Sequence, residues 1–186
     1  MTMQKKMLKT AAAACAAALA AVLLAGCGDE ASKKTYSPVP FTKHDRCHLC
    51  GMALAHYEGP KAQIIIKGAE DTPLMFCSGR DAFTYALQPE NQRRLLAFFI
   101  HDLGKTSWET PAADALVPAA SAMYVYGHGR EGVMGDEPVA FTEKSRADAF
   151  IAKWGGQVYK YEEITLKRLS IFWPLTKVTA GSPPTR

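Results

Sequence analysis

The stretch His44-Asp45-Arg46-Cys47-His48-Leu49-Cys50-Gly51-Met52 gathers two thiols, a thioether and two imidazoles into one short loop-like segment. Thiolate and thioether donors favour Cu(I), and imidazole suits copper or zinc. Gly51 lets the backbone turn so that the side chains on either side of it can converge. Three chemistries compete for Cys47-x-x-Cys50. A structural zinc site needs further ligands; no second Cys-x-x-Cys exists, though Cys77 with a histidine could complete one. A thiol-disulfide pair belongs at the start of a helix that follows a strand. Here Pro38 and Pro40 precede the motif and Gly51 follows it. A soft-metal loop is the reading in which Met52 has a role, because a thioether binds Cu(I) without losing a proton.

The other donors divide by their surroundings. His44, His48 and His56 lie within a loop's reach of the thiols, although a histidine beside such a motif is more often a bystander. His101 ends an apolar strand-like run and belongs at the core edge, and His128 sits in the turn Gly127-His128-Gly129-Arg130. Alternation in Met75-Phe76-Cys77 puts Met75 and Cys77 on one strand face, where core packing is the default. Met123 starts a strand and is likewise a core residue. Met134, bracketed by Gly132 and Gly135, is a candidate ligand or a loop anchor.

Compartment decides what these cysteines can be. Residues 1–26 combine Lys5, Lys6 and Lys9 with an Ala/Leu run ending in Leu24-Ala25-Gly26-Cys27, the pattern of a signal peptide. Leu-Ala-Gly-Cys also resembles the bacterial lipobox, which makes Cys27 an acylated mature N-terminus held on a membrane face. Cleavage removes three lysines and no acid, so the formal charge falls from +4 to +1. With no basic run or face, nucleic-acid binding has no support. Cys15 leaves with the signal and Cys27 carries lipid, so Cys47, Cys50 and Cys77 remain. An odd thiol count in an oxidising compartment suits a metal or redox site better than a set of structural disulfides.

Residues 27–40 are polar, proline-containing and aperiodic, and read as a tether. The folded part is expected over 41–171, and residues 172–186, with Trp173-Pro174 and Gly181-Ser182-Pro183-Pro184, read as a disordered tail. No second long apolar run follows the signal. Strands are expected at Lys61 to Lys67 and Pro73 to Ser78, a helix from Gly79 to Gln88 stopped by Pro89, and a strand at Leu95 to Leu103. The same order returns as strands at Ala122 to Gly127 and Val139 to Thr142, a helix from Lys144 to Trp154 ended by Gly155-Gly156, and a strand at Val158 to Tyr161. The fold class is therefore α+β: two strand-strand-helix-strand units, about 61–103 and 122–164. Each alone buries too little, so the two must pack together or share a sheet.

Cys47-His-Leu-Cys-Gly-Met52, Gly59-Pro-Lys-Ala-Gln63, Phe76-Cys-Ser-Gly-Arg-Asp-Ala-Phe83, Leu87-Gln-Pro-Glu90, Val133-Met-Gly-Asp-Glu-Pro-Val-Ala-Phe141 and Gly155-Gly156 together closely resemble the NosL family of nitrous oxide reductase accessory lipoproteins. The Cys-x-x-Cys-Gly-Met element is the specific part, and the resemblance spans the folded region and includes the lipobox. It implies a pair of strand-strand-helix-strand units similar to part of the organomercurial lyase fold, without that enzyme's activity. It further implies a periplasm-facing, non-enzymatic chaperone for Cu(I), metallating nitrous oxide reductase with a membrane ABC transporter complex. Carried onto this chain, the motif singles out Cys50 and Met52 as copper donors, with Cys47 and a histidine, His48 or His56, completing the set. A lipid-anchored thiol-disulfide oxidoreductase and a zinc-stabilised interaction module are the competing readings.

Overall fold

The computed structural model describes residues 34–171; the signal segment, Cys27, most of the expected tether and the tail lie outside them. Strand β1 (Ala62–Ile66) is a β-branched run buried along its whole length, and it pairs antiparallel with β2 (Leu74–Phe76) on one side and β3 (Leu95–His101) on the other. Strand β4 (Leu116–Pro118) adds an edge to β3, giving the sheet order β2-β1-β3-β4. A second sheet has the order β6-β5-β7, from β5 (Met123–Tyr126), β6 (Val139–Phe141) and β7 (Gln157–Tyr159). The first strand of each unit is therefore central, flanked by the second and third, and the internal repeat is one of topology as well as of element order.

Helix α1 (Gly79–Ala86) connects β2 to β3 and buries Gly79, Ala82, Phe83 and Ala86. Its N-cap is Ser78, whose hydroxyl accepts the Asp81 N–H at 3.1 Å. Pro89 ends that helix and also opens a short one, α2 (Pro89–Gln92), because proline at the first helical position loses no needed N–H. Helix α3 (Lys144–Trp154) joins β6 to β7, burying Ala147 and Phe150, and stops at Gly155, where φ is +73°. A last helix, α4 (Leu166–Ile171), follows. β4 and α4 were not expected. A three-residue strand containing proline carries no periodicity, and its place at the sheet edge is what tolerates Pro118. Among the described residues no helix is long and apolar enough to cross a membrane.

The sheets stay separate but share one core. Ile64, Phe76, Phe83 and Phe98 of the first unit and Tyr124, Tyr126 and Ala140 of the second belong to a single buried cluster. Phe83 meets Phe98 and Tyr124 edge to face, each at 5.0 Å between ring centroids. A buried acid, Asp102, closes the seam. It accepts Thr142 N–H at 3.3 Å and the Thr142 hydroxyl, while Leu103 N–H donates to Ala140 at 2.9 Å. Val39, within the segment read as a tether, donates its N–H to the buried side chain of Gln63 at 3.1 Å.

A second buried acid, Glu137, accepts the N–H of Gly79 at 2.9 Å, at the first turn of α1. Gly132 is the residue that leaves room for it, since a Cβ there would stand 1.8 Å from Glu137 Oε1. Burial pushes the Glu137 carboxyl up to about 8. Burial, reinforced by the charge of Lys61, holds the His101 imidazole down at about 4.

Replacing Asp102 with Ala strands the Thr142 and Gly104 donors at the seam, and is expected to cost about 3 kcal/mol, read as a lower denaturation midpoint with an unchanged m-value. For pH, the fold refuses a proton that unfolded His101 accepts, so this residue makes stability rise with pH between about 4 and the ordinary 6.5. The fold retains a proton that unfolded Glu137 loses, so that residue makes stability fall as pH rises from the ordinary 4.5 to about 8. The wild-type Tm is thus expected to drop relative to that of Glu137→Gln between pH ~6.5 and ~8, in thermal scans of both proteins. A difference that stays constant over that window would show Glu137 already ionised in the fold.

Candidate metal centre

Arg46 to Ala53 forms a closed loop. Arg46 and Ala53 pair as an isolated antiparallel bridge, Cys47 N–H donates to Met52 at 2.9 Å, and Gly51 N–H returns to Cys47 at 2.9 Å. Gly51 has φ +74°, the left-handed conformation that glycine adopts without a Cβ penalty, so the turn needs this residue where the sequence places it. The Arg46 side chain caps the loop by donating to Gly51 O at 3.1 Å. His48 N–H donates to Met75 O at 2.7 Å, which docks the loop against β2.

That docking brings two distant residues to the loop. Cys77 follows the end of β2, and Asp81 lies in the first turn of α1 with its N–H held by the Ser78 cap. Cys50 Sγ is 3.6 Å from Cys77 Sγ, and Asp81 Oδ2 lies 3.6 Å from Cys77 Sγ and 3.9 Å from Cys47 Sγ. All four ligand atoms fall within 4.8 Å of one another. A tetrahedral ion with metal-sulfur bonds near 2.3 Å spaces its donors by about 3.8 Å, so the cluster has the dimensions of a single coordination sphere. Cys47, Cys77 and Asp81 are buried, Cys50 is exposed, and all three thiols are free. The site has a walled base and one donor open to solvent.

Electrostatics differentiates the thiols. Burial works against ionising Cys47, but the backbone N–H groups of Cys50, Cys77 and Leu49 more than offset it, and the thiol is more acidic than usual. Burial and the neighbouring Cys47 push the Cys77 thiol strongly up, and burial also raises the Asp81 carboxyl. Without an ion, the cluster therefore resists accumulating charge; a cation in its midst would lift that resistance.

The remaining sequence candidates are placed as follows. Met52 is half-buried in the loop, with its carbonyl engaged by Cys47. His48 is exposed, its ring edge-on to Phe76 and Tyr85 at 6.0 and 5.2 Å. His56 ends a 3-10 turn, Leu54–His56, and lines a cavity of about 360 Å³ with Phe41, Lys61 and His101, whose walls contain no cysteine. Met134 packs against the main core from the tight turn between Gly132 and Gly135. Sequence reasoning placed Cys77 in the core by default and passed over Asp81. Cys77 is indeed fully buried, yet its sulfur faces the loop. The signals were a cysteine at a strand-to-helix junction with an acid one turn on, the possible place of Cys77 in a zinc set, and the Phe76 to Phe83 segment within the family resemblance.

The family model described as NosL matches residues 38–169. The copper-binding lipoprotein NosL of Stutzerimonas stutzeri is 38% identical over 154 residues, 80% of this chain and 80% of that protein. The protein of the same description from Achromobacter cycloclastes is 37% identical over 172 residues, 91% of this chain and 84% of its own length. The crystal structure of the copper chaperone NosL from Shewanella denitrificans superposes with a TM-score of 0.69 at 32% identity, covering 72% of this chain and 99% of that one. With the loop, the paired units and the extent of these matches in agreement, the chain belongs to the NosL family.

Proposed function

We propose that this protein is a lipid-anchored chaperone whose cargo is Cu(I), handed on by ligand exchange for the maturation of nitrous oxide reductase. The observation that carries the reading is the convergence of Cys47, Cys50, Cys77 and Asp81 within 4.8 Å, two of them from the loop that also carries Met52. Two relatives bear the description of copper-binding lipoproteins, and the Shewanella protein that of a copper chaperone. The anchor is an acylated Cys27, with the folded part facing the periplasm. The partners proposed from family membership are the reductase and the membrane ABC transporter complex that serves it.

Sulfur-rich donors select Cu(I) over harder ions, which is how such a site escapes competition from metals with similar affinity for nitrogen and oxygen. Cys47 is the thiol the backbone prepares for ionisation, and it forms the buried base of the site. Cys50, exposed, is the donor an acceptor's ligand reaches first. Met52 supplies a neutral thioether from the same loop, and His48, exposed between the two loop cysteines in sequence, is the imidazole proposed to join or leave the set. His56 and Met134 have other contacts and are not included in it. Asp81 accepts from the two buried thiols and orients them. The protein is read as a carrier because its relatives are described as copper-binding lipoproteins and a copper chaperone.

A zinc reading has one specific observation behind it, the near-tetrahedral spacing of three sulfurs and an oxygen. Competition titrations of the reduced protein against a chromophoric Cu(I) chelator separate the two. Cys50→Ser and Cys77→Ser are each expected to weaken Cu(I) binding roughly 100-fold and Met52→Leu roughly 10-fold, with His56→Ala unchanged. Unaltered affinity in Met52→Leu would remove the thioether from the set. Unfolding on chelation, with zinc alone restoring the fold, would replace the chaperone reading with a structural one. Delivery is tested by incubating the Cu(I)-loaded protein with apo nitrous oxide reductase and the transporter complex, and measuring the reductase's copper content; no transfer would exclude that acceptor.

A further inference from the structure

We infer that Cys50 and Cys77 form a redox pair that closes an internal disulfide in the metal-free protein, reserving cargo binding for the reduced state; the gating part rests on the Cu(I) reading above. Their sulfurs are 3.6 Å apart and neither is in a disulfide, although Cys77 also donates to Asp81 Oδ2 at 3.6 Å. Closing to a disulfide length requires an approach of about 1.5 Å, within the reach of side-chain rotation on an exposed loop residue.

The three thiols are not equivalent toward an oxidant. Cys47 and Cys77 are 3% and 0% exposed, so an incoming disulfide meets Cys50. Cys47 is also fixed at both backbone ends of its turn, by Gly51 N–H to its carbonyl and by its own N–H to the Met52 carbonyl. Cys77 approaches Cys50 from a different element, the β2-α1 junction, so its bond to Cys50 does not have to form inside that pinned turn.

The reaction is a two-step exchange with a small-molecule or protein disulfide, R–S–S–R, as the oxidant. Cys50 sulfur attacks one sulfur of the oxidant, forming a mixed disulfide and expelling RS⁻, which takes up the proton Cys50 has lost. Cys77 sulfur then attacks Cys50 sulfur and expels the second RS⁻, which takes up the Cys77 proton. Two thiols are oxidised, one disulfide is reduced, and two RSH are released. The closed form withdraws two of the four converging donors and leaves Cys47 with Asp81. A site filled with Cu(I) has both sulfurs engaged and resists the first step.

The test treats the full chain, purified in detergent and reduced, with oxidised glutathione, both metal-free and Cu(I)-loaded. The expected product from the metal-free protein is lighter by two hydrogens, with tryptic peptides 47–61 and 68–80 joined. The same link should form in Cys47→Ser, while Cys77→Ser should stop at the glutathione adduct. The oxidised protein should take up no Cu(I) until reduced, and the loaded protein should stay unlinked. A bond within 47–61, or a stable glutathione adduct on the wild type, would overturn the pair. Uptake of Cu(I) by the linked form would overturn the gate. If the reduced protein itself fails to bind Cu(I), the cargo reading falls, while the linkage result stands independently.

Discussion

Phe83 and Tyr124, 5.0 Å apart between ring centroids, belong to different units, and the fold depends on the core they hold together. A sheet of three or four short strands covered by one helix cannot bury enough apolar surface to offset the entropy of ordering its chain. The repeated units solve this by merging their inner faces, with Phe98 and Tyr161 extending the aromatic contact on either side. Asp102 keeps the seam in register with hydrogen bonds where apolar packing alone would permit sliding. Everything at the metal centre is held against this framework.

The centre is assembled at the junction of β2 and α1, where a strand end, a capped helix start and a docked loop meet. Ser78 fixes the first turn of α1, and Glu137 braces that turn from beneath through Gly79. The loop contributes soft donors and solvent access; the junction contributes a buried thiol and an acid. Rigid support on one side and an open donor on the other suit a site that must both hold an ion and release it.

The same arrangement explains why sulfur chemistry and metal chemistry compete here. Thiols close enough to share one ion are close enough to bond to each other, and only the occupancy of the site or the redox poise separates the outcomes. Cys50 is decisive in both, as the exposed member of a largely buried set.

Local rules made much of this molecule readable from its residues. The order of strands and helices followed from the Ile64-Ile65-Ile66 run, Pro89 and Gly155-Gly156, because period and breakers act within a few residues. The Cys47-x-x-Cys50-Gly-Met52 loop was legible for the same reason, as its closure needs only Gly51 and its own backbone. β4 was not, since three residues at an edge are chosen by the partner strand β3. Neither was the full cluster of converging side chains. Cys77 and Asp81 lie 27 and 34 residues beyond their loop partners Cys50 and Cys47, and alternation correctly buried Cys77 without revealing what its sulfur faces. The residues themselves determined which donors exist and which loop turns; tertiary packing decided which of them meet, because a coordination sphere is a matter of distances across the core, not of neighbours along the chain.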